Sequence, residues 1–389
     1  MLNTLKKTAR KIVHAQRARV PYRHWSKQLQ NDPLFKLANV DRGLLPRPTG
    51  PARPLRARQE VAERIIKAYR KASADQASKS AVYKVSNEWI PIFRKPLKPL
   101  LTALEAGDAV ALTTLLDNFF RSTVSEGLCG LATDMAGTYF DRTPNEFERT
   151  QFLIDALYRF RHLEQLLPGT LASDLQVDDI GNPYGMMVGD DFVRTGADYQ
   201  YYYAQKVSKL LPTAPAIGVV AELGGGIGGF AYFLLKCHGG STRYINLDLP
   251  EILCISSYQL LNLFPERKAV LYGEIDRIDS ASLAQVDIAL LPSFCVEDLA
   301  SDSVDVSFNS YSLAEMDEPT IANYMGQFSR LTRHAILHVN HVSNALVGAD
   351  KFPFDSKRFE QVERNRALWN LGRNLECDEY EFLLTRRPV

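Results

Sequence analysis

A run of glycines near the middle of the chain constrains its fold more than any other part of the sequence. Residues 219–230 read VVAELGGGIGGF, so an apolar segment ends in an acidic residue and is followed by five glycines within six positions. Such a density of glycines costs conformational entropy on folding that a plain turn would not require. The pattern is typical of the first strand–turn–helix unit of a Rossmann-like sheet, where the backbone closely approaches an adenosine-containing cofactor.

The glycine spacing alone is compatible with two cofactors. A G-x-G-x-x-G motif of dinucleotide-binding enzymes begins at Gly224, whereas Glu222, Gly224, Gly226 and Gly228 form the E-x-G-x-G-x-G motif of S-adenosylmethionine-dependent methyltransferases. A dinucleotide would bring its anionic pyrophosphate to this turn, next to the carboxylate of Glu222. S-adenosylmethionine has no phosphate and carries an ammonium and a sulfonium. The carboxylate therefore favours S-adenosylmethionine, with Glu222, Gly224, Gly225 and Gly226 as cofactor-binding residues and NAD as the alternative.

A second predicted strand ends in another acidic residue. Asp248 closes the segment 244–248, one strand–helix–strand unit after Glu222. At this position a carboxylate can accept hydrogen bonds from both ribose hydroxyls of the cofactor. Asp248 is therefore a predicted cofactor-binding residue, although it would serve NAD as well as S-adenosylmethionine.

Strands and helices alternate from residue 217 onwards, which predicts a mostly parallel, doubly wound sheet. The predicted strands are 217–223, 244–248, 269–272, 286–291, 304–309 and 334–340, with a closing hairpin at 375–385, and the predicted helices include 230–237, 250–263 and 318–332. Ligands bind outside the carboxyl ends of strands in such sheets. We therefore expect Ser293 and Phe294, after the strand at 286–291, and Asn309, at the end of the next strand, to contact the cofactor.

Two residues at the predicted strand ends are candidates for the chemistry. Methyl transfer to a hydroxyl requires a group that orients the acceptor and removes its proton. Glu315 follows the strand at 304–309, and His341 stands just past the strand at 334–340. We predict that Glu315 and His341 form an acid/base pair. The nearby Asp317 is instead predicted to cap a helix, and His338 to pack within its strand.

The sequence before residue 193 is predicted to be mainly helical. Helical patterns cover 59–71 and 98–121, a further helix begins near Thr143, and no alternating strand pattern is present. The predicted organisation is a basic arm and proline-rich linker at 1–58, a helical N-terminal domain at 59–192, and a Rossmann-like methyltransferase domain at 193–389, which opens with a helix at 193–211.

Charge is distributed unevenly along the chain. The net charge is +1, yet residues 1–70 hold 17 Lys and Arg against 4 Asp and Glu. A basic arm can bind nucleic acid, an anionic membrane surface or a phosphorylated substrate, or it can dock on the acidic body of its own or a partner subunit. We favour docking, which would suit a homo-oligomer, and predict no nucleic-acid partner.

The composition also bears on the cellular location of the protein and on its capacity to bind a metal ion. No apolar run approaches the length of a membrane span, and the N-terminus lacks the apolar core of a signal peptide, so no integral membrane segment is expected. The five cysteines are scattered, without a C-x-x-C pair. This pattern suits a reducing cytoplasm and provides no zinc site. No carboxylate cluster can be assigned to a metal.

Several motifs together resemble a known family. The helical first half, the turn at 181–183, the run 222–228, the segment 247–250 and the segment 309–316 are similar to the sugar O-methyltransferases of bacterial polyketide-glycoside and surface-polysaccharide gene clusters. The resemblance covers roughly residues 80–385. It implies a class I S-adenosylmethionine-dependent methyltransferase that acts on a sugar or glycoside.

The segment 247–250 is also similar to the ribose-binding segment of plant-type small-molecule O-methyltransferases. Those enzymes carry a catalytic histidine shortly after the fourth strand, where this chain has Ala314 and Glu315. The plant-type base is therefore absent here. Two other function classes stay open at this point: an NAD-dependent oxidoreductase, and a non-enzymatic scaffold with a methyltransferase-like fold and a basic tether.

Overall fold

The computed structural model describes residues 27–28, 30–39, 53–86, 89–125, 128, 145–178, 180–213, 215–371 and 378–388. Most of the predicted basic arm and linker lies outside the described residues, as do Thr143 and the first residues of the predicted hairpin at 375–385.

The described residues form a mainly helical N-terminal part followed by alternating strands and helices. The α-helices are α1 (Pro33–Leu37), α2 (Leu55–Gln76), α3 (Trp89–Arg94), α4 (Lys98–Ala106), α5 (Ala109–Leu116), α6 (Glu146–Leu166), α7 (Ala197–Ser208), α8 (Gly229–His238), α9 (Pro250–Leu263), α10 (Ser280–Leu283), α11 (Glu318–Leu331) and α12 (Leu368–Leu371). The strands are β1 (Ala38–Asn39), β2 (Gly185–Val188), β3 (Asp191–Arg194), β4 (Gly218–Leu223), β5 (Thr242–Asp248), β6 (Ala269–Leu271), β7 (Ile288–Pro292), β8 (Val304–Ser310), β9 (Thr332–His341), β10 (Phe359–Arg366) and β11 (Glu379–Arg386).

The central sheet confirms the predicted fold class. Its strand order is β10-β11-β9-β8-β4-β5-β7-β6. The pairs from β9 through β6 are parallel, whereas β11 is antiparallel to both β9 and β10. The chain leaves β4 for β5 on one side and later reaches β8 on the other, which makes this point a topological switch with a crevice at the strand ends. The fold is therefore an α/β, Rossmann-like, mostly parallel sheet.

Helices cover both faces of this sheet. Side chains of β4 alternate between two apolar clusters: Val220 packs in the cluster that includes α8 and α9, while Ala221 packs in the cluster that includes α11. Helix α2 joins the first cluster through Val61 and Ile65, so the N-terminal helices add a layer to that face. Helix α2 crosses the proposed boundary at 58/59, and β3 crosses that at 192/193.

The region before the large sheet contains strands that the sequence did not predict. Strands β1, β2 and β3 form a small antiparallel sheet within the mainly helical N-terminal part. The predicted helix at 193–211 is shorter, because β3 continues to Arg194 and α7 begins only after Gly196, whose φ is +81°. All four residues of β2 are buried, and a strand that is buried on both sides has no apolar–polar alternation to reveal it.

The C-terminal strand pair also differs from the prediction. Strand β11 pairs with β10 and β9, not with a neighbouring segment inside 375–385. Strand β10 has the sequence FEQVERNR and lies at the sheet edge with most of its side chains exposed. Its register shifts between Gln361 and Glu363, which interrupts the period of two. A polar, bulged edge strand is hard to recognise from hydrophobic pattern.

Candidate active site

The glycine turn joins β4 to α8 at the carboxyl end of the sheet. Gly224, Gly226 and Gly228 have φ values of +74°, +56° and +78°, which residues with a side chain rarely adopt. Gly225 is required for another reason: a Cβ there would lie 2.6 Å from Oδ1 of Asn246. The turn therefore needs its glycines for backbone shape and for close packing on β5.

Glu222 lies near the end of β4 and is 3% exposed. The hydroxyl of Tyr244, on the neighbouring strand, donates a hydrogen bond to its Oε2. Burial raises the pKa of Glu222 to about 8, with the carboxyl of Asp248 adding to the rise and the Tyr244 hydrogen bond opposing it. A buried carboxyl with a raised pKa is an acid whose ionised form a nearby cation would stabilise.

Asp248 ends β5 and faces the same turn. Its Oδ2 accepts the N–H of Gly226 at 3.0 Å, and its Oδ1 accepts the N–H of Leu249 at 2.7 Å. Burial raises the pKa of Asp248 to about 7, and these two backbone N–H groups counteract part of that rise. Each carboxylate oxygen can accept a second hydrogen bond, so Asp248 keeps capacity for ligand hydroxyls.

One cavity of about 750 Å³ brings most of the predicted site residues together. Its lining includes the predicted residues Glu222, Gly224, Gly225, Gly226, Asp248, Ser293, Glu315 and His341. The glycine turn and the two acidic strand ends thus open into the same space as the candidate acid/base pair.

Of the two residues predicted after β7, the structure brings only Ser293 to the cavity. Ser293 begins a short 3₁₀ turn and is 3% exposed. Phe294 is absent from the lining and is buried elsewhere: its ring packs edge-on against Tyr272, with centroids 5.5 Å apart, and the Nζ of Lys79 lies 5.0 Å from its centroid. Phe294 therefore acts in the structure as a core residue.

Asn309 is fully buried behind the cavity. Its Nδ2 donates to the carbonyl of Leu223 at 2.9 Å and to Oγ of Ser312 at 2.6 Å. Its Oδ1 accepts from Asn340 at 2.8 Å, and Asn340 in turn accepts the N–H of Ala314 at 3.1 Å. This network joins the ends of β4, β8 and β9, so Asn309 orients the strand ends from beneath the cavity.

Glu315 ends the 3₁₀ turn Ser312–Glu315 that follows β8. The indole Nε1–H of Trp89 donates to its Oε2 at 2.7 Å. This contact comes from the short helix α3 of the N-terminal part. The helical part of the chain thus orients a residue at the sheet end, which no local sequence signal indicates.

His341 ends β9, and its imidazole lines the cavity. Its Nδ1 lies 3.7 Å from Oδ2 of Asp378, a carboxylate that also accepts the backbone N–H groups of Ser343 and Asn344. This carboxylate therefore lies on the Nδ1 side of the imidazole, beyond hydrogen-bond distance. Asp378 was missed by the sequence interpretation, because it lies far along the chain.

The cavity wall on this side is rich in aromatic residues that the sequence interpretation did not assign to the site. Trp89, Tyr199, Tyr311 and Trp369 line it, and the rings of Tyr199 and Trp369 have centroids 5.2 Å apart. The indole of Trp369 donates to the Tyr311 hydroxyl at 3.0 Å, and that hydroxyl donates to Oε2 of Glu379 at 3.3 Å. Tyr311 has a φ of +67°, a strained conformation that is found often at functional sites.

Two predicted structural roles agree with the structure. Oδ1 of Asp317 accepts the N–H of Thr320 at 3.0 Å and caps α11. His338 is 2% exposed and stacks on Phe382, with ring centroids 4.7 Å apart, and burial lowers its pKa to about 3. Asp317 also lines the cavity, whereas His338 does not.

The described residues provide neither a clustered metal site nor a membrane-spanning helix. In that part of the chain, no group of three or more His, Cys, Asp or Glu side chains is arranged to hold a metal ion. No helix within the same residues is both long and apolar enough to cross a membrane.

No protein-family model matches the chain, and no curated protein does. Among solved structures, it is similar to phosphoethanolamine N-methyltransferase 1 of Haemonchus contortus (13% identity, 50% of this chain and 44% of that chain, TM-score 0.35). It is also similar to a SAM-dependent methyltransferase of Aquifex aeolicus (14%, 49% and 92%, TM-score 0.30) and to mitomycin 7-O-methyltransferase (13%, 76% and 92%, TM-score 0.32). The chain spans less than half the length of the first of these proteins. The three similar structures are methyltransferases, and at these identities the likeness concerns the fold alone.

Proposed function

We propose that this chain is an S-adenosylmethionine-dependent O-methyltransferase that acts on a hydroxyl of a sugar or sugar-containing small molecule. One observation carries the proposal: the glycine turn, Glu222 and Asp248 line the same cavity as Glu315 and His341. The first set suits a cationic nucleoside, and the second suits the removal of a proton.

The glycine turn leaves room for a ligand. Among the described residues, a Cβ at Gly226 would meet only Cδ2 of Leu128, at 3.9 Å, and Gly226 lines the cavity. Gly226 therefore keeps the backbone accessible at the place where a cofactor would lie. When bound, S-adenosylmethionine supplies an electrophilic methyl group on a sulfonium.

The two buried carboxyls have distinct roles in this proposal. Glu222 provides the negative charge that favours a cationic donor over a pyrophosphate. Its pKa is raised mainly by burial, and none of the groups that shift this pKa is a cation. Asp248 accepts the ribose hydroxyls with the acceptor capacity that its two backbone N–H partners leave.

In the same cavity, Glu315 and His341 hold and deprotonate the acceptor hydroxyl. Trp89 fixes the carboxylate of Glu315, and Asp378 lies on the Nδ1 side of His341. Asn309 takes no part in contact with the ligand and keeps the strand ends in register. Positioned bases of this kind contribute factors of about 10²–10⁴ to rate.

The composition of the wall supports a sugar as the acceptor. Aromatic faces such as those of Trp89 and Trp369 pack against the apolar C–H faces of a sugar ring. The carboxylate of Glu379 adds a hydrogen-bond acceptor for hydroxyls next to these rings. A cytoplasmic location and a homo-oligomer are further parts of the proposal, which the sequence alone supports.

Calorimetry with S-adenosylhomocysteine and with NADH tests the cofactor. We expect S-adenosylhomocysteine to bind and NADH not to bind. NADH binding alone would overturn the proposal in favour of an oxidoreductase. A scaffold predicts no methyl transfer to any glycoside, together with binding to anionic vesicles that is lost when residues 1–50 are removed.

A further inference from the structure

A second carboxylate on β11 lies behind the aromatic wall. Glu379 and Glu381 are two residues apart and therefore project from the same face of the strand. Glu379 lines the cavity, whereas Glu381 is fully buried, with 0% exposure. A buried carboxylate is costly unless its oxygens are satisfied, so its partners indicate what it holds.

Within the described part of the chain, three groups donate hydrogen bonds to Glu381. The Tyr203 hydroxyl donates to Oε1 at 2.9 Å, and the Lys206 ammonium donates to Oε2 at 2.6 Å; both residues belong to α7. The third donor is the backbone N–H of Leu368, at 3.0 Å from Oε1. Glu381 thus links α7 to the first residue of α12.

The segment that Glu381 holds forms part of the cavity, and we call residues 367–371 the acceptor wall. Trp369 and Asn370 of this segment line the cavity. Trp369 donates to the Tyr311 hydroxyl at 3.0 Å, and Nδ2 of Asn370 donates to Glu379 at 2.7 Å. At its start, the N–H of Ala367 donates to the carbonyl of Glu379 at 2.8 Å.

Stability alone is a weak reason for this buried charge. Replacing a buried ion pair by apolar residues of similar volume is often neutral or stabilising. Lys206 would also keep a partner without Glu381, because its Nζ lies 3.1 Å from Oε2 of Glu363. An apolar side chain would fill the same space, but it would leave the N–H of Leu368 and the buried hydroxyl of Tyr203 without this acceptor.

We propose that Glu381 is a positioning residue that holds the acceptor wall, and with it Trp369 and Asn370, in the geometry that receives the acceptor. The inference rests on the proposed function, since the wall is named for the ligand that we assign to it. Glu381 touches neither the glycine turn nor the cofactor end of the cavity.

Three variants of the full chain test this role. Glu381→Met keeps the length of the side chain and removes both acceptor oxygens, whereas Glu381→Gln keeps one oxygen that can accept from Leu368. Glu363→Gln is the matched control, because it alters the other partner of Lys206 on β10 without contacting the wall. Amide hydrogen exchange of peptides covering 367–371 and calorimetry with S-adenosylhomocysteine are measured for each variant.

We expect exchange in the acceptor wall to be about tenfold faster in Glu381→Met and close to wild type in Glu381→Gln and Glu363→Gln. Affinity for S-adenosylhomocysteine should stay within about twofold of wild type in all three. Unchanged exchange in Glu381→Met would overturn the inference. Faster exchange spread over β9 and β11 with loss of affinity would also overturn it, because that pattern means general destabilisation. Failure of the wild type to bind S-adenosylhomocysteine would refute the proposed function instead.

Discussion

Replacing Glu222 by Gln tests the central electrostatic claim about the site. The amide has nearly the same shape as the carboxyl and can still accept the hydrogen bond from Tyr244. It cannot ionise. The substitution therefore removes the charge that we assign to the cationic methyl donor and leaves the packing of β4 and β5 in place.

The structure sets the sign and size of the effect on stability. Burial raises the pKa of Glu222 from its ordinary 4.5 to about 8, so the folded chain keeps this proton over a pH range in which the unfolded chain releases it. The stabilising contribution is therefore complete below the unfolded pKa and is lost as the pH rises through the folded pKa. At about 1.4 kcal/mol per pKa unit, the whole loss is roughly 4–5 kcal/mol, of which roughly 2–3 kcal/mol falls between about pH 6 and pH 8.

Ligand binding should depend on pH in the opposite direction. A bound cation favours ionised Glu222, so donor affinity rises with pH while the free protein holds the proton. For wild type we expect a gain of up to about tenfold per pH unit between about pH 6 and pH 8. The variant shares the other titrating groups, including Asp248 and the amino group of the donor, so the difference between the two proteins isolates Glu222.

The assay is thermal unfolding and calorimetry of both proteins across that pH range, with and without S-adenosylmethionine. We expect the unliganded variant to gain stability over wild type as the pH rises, by a few degrees in Tm, and to bind the donor more weakly at the upper end. Parallel pH profiles for the two proteins, in either Tm or affinity, would refute the reasoning. Parallel Tm profiles would mean that Glu222 does not keep its proton in the folded chain. Parallel affinity profiles would mean that it does not meet a cation.

Three further predictions concern other parts of the cavity. Asp248→Asn should weaken S-adenosylhomocysteine binding by about 10–100-fold in calorimetry, because one oxygen must replace two acceptors. Gly226→Ala should lower both that affinity and Tm, because a φ of +56° is strained for alanine, whereas Gly225→Ala should mainly lower Tm through its clash with Asn246 on β5; a greater loss of affinity in Gly225→Ala than in Gly226→Ala would contradict this view of the turn. Glu315→Gln and His341→Ala should each lower kcat by about 10²–10⁴ without changing S-adenosylhomocysteine affinity, and wild-type turnover in both would remove them from the mechanism.

The donor end of the cavity could be predicted from sequence because its signals are local. Glu222 and the glycines are contiguous, and Asp248 ends the next strand. In a parallel sheet, consecutive strands bring such positions to one edge whatever the details of packing. The strand ends predicted at 309 and 340 each lie one residue before the ends of β8 and β9, and these two strands pair in parallel as predicted.

The direction in which a side chain points could not be predicted in this way. Ser293 and Phe294 are adjacent in sequence, and only the first lines the cavity, because a 3₁₀ turn sends consecutive side chains in different directions. Asn309 lies at the predicted place in the sheet, yet its side-chain amide forms hydrogen bonds within the protein, to the carbonyl of Leu223 and with Asn340. The position of each residue along the chain could be predicted, but the direction of its side chain could not.

The acceptor end was hidden because its residues come from segments that are distant in the chain. Trp89 comes from α3, Trp369 from α12, and Glu379 from the start of β11. Strand β11 is antiparallel and pairs with β9, so Glu379 lies opposite His341, a contact that follows only from the register. Strand β10 pairs with β11 at the edge of the sheet, and its sequence has no hydrophobic alternation that would predict a strand.

This difference between the two ends has a physical consequence for specificity. The donor end is fixed by backbone conformation in one continuous turn, where most substitutions would strain the chain or clash, as at Gly224 and Gly225. The acceptor end is built from side chains on separate elements, each held by its own hydrogen bonds, such as that from Trp89 to Glu315. Side chains there can change one at a time without altering the glycine turn. On the proposed function, the acceptor is therefore the part of the reaction that this architecture leaves most free to vary, while the methyl donor depends on the conformation of the turn.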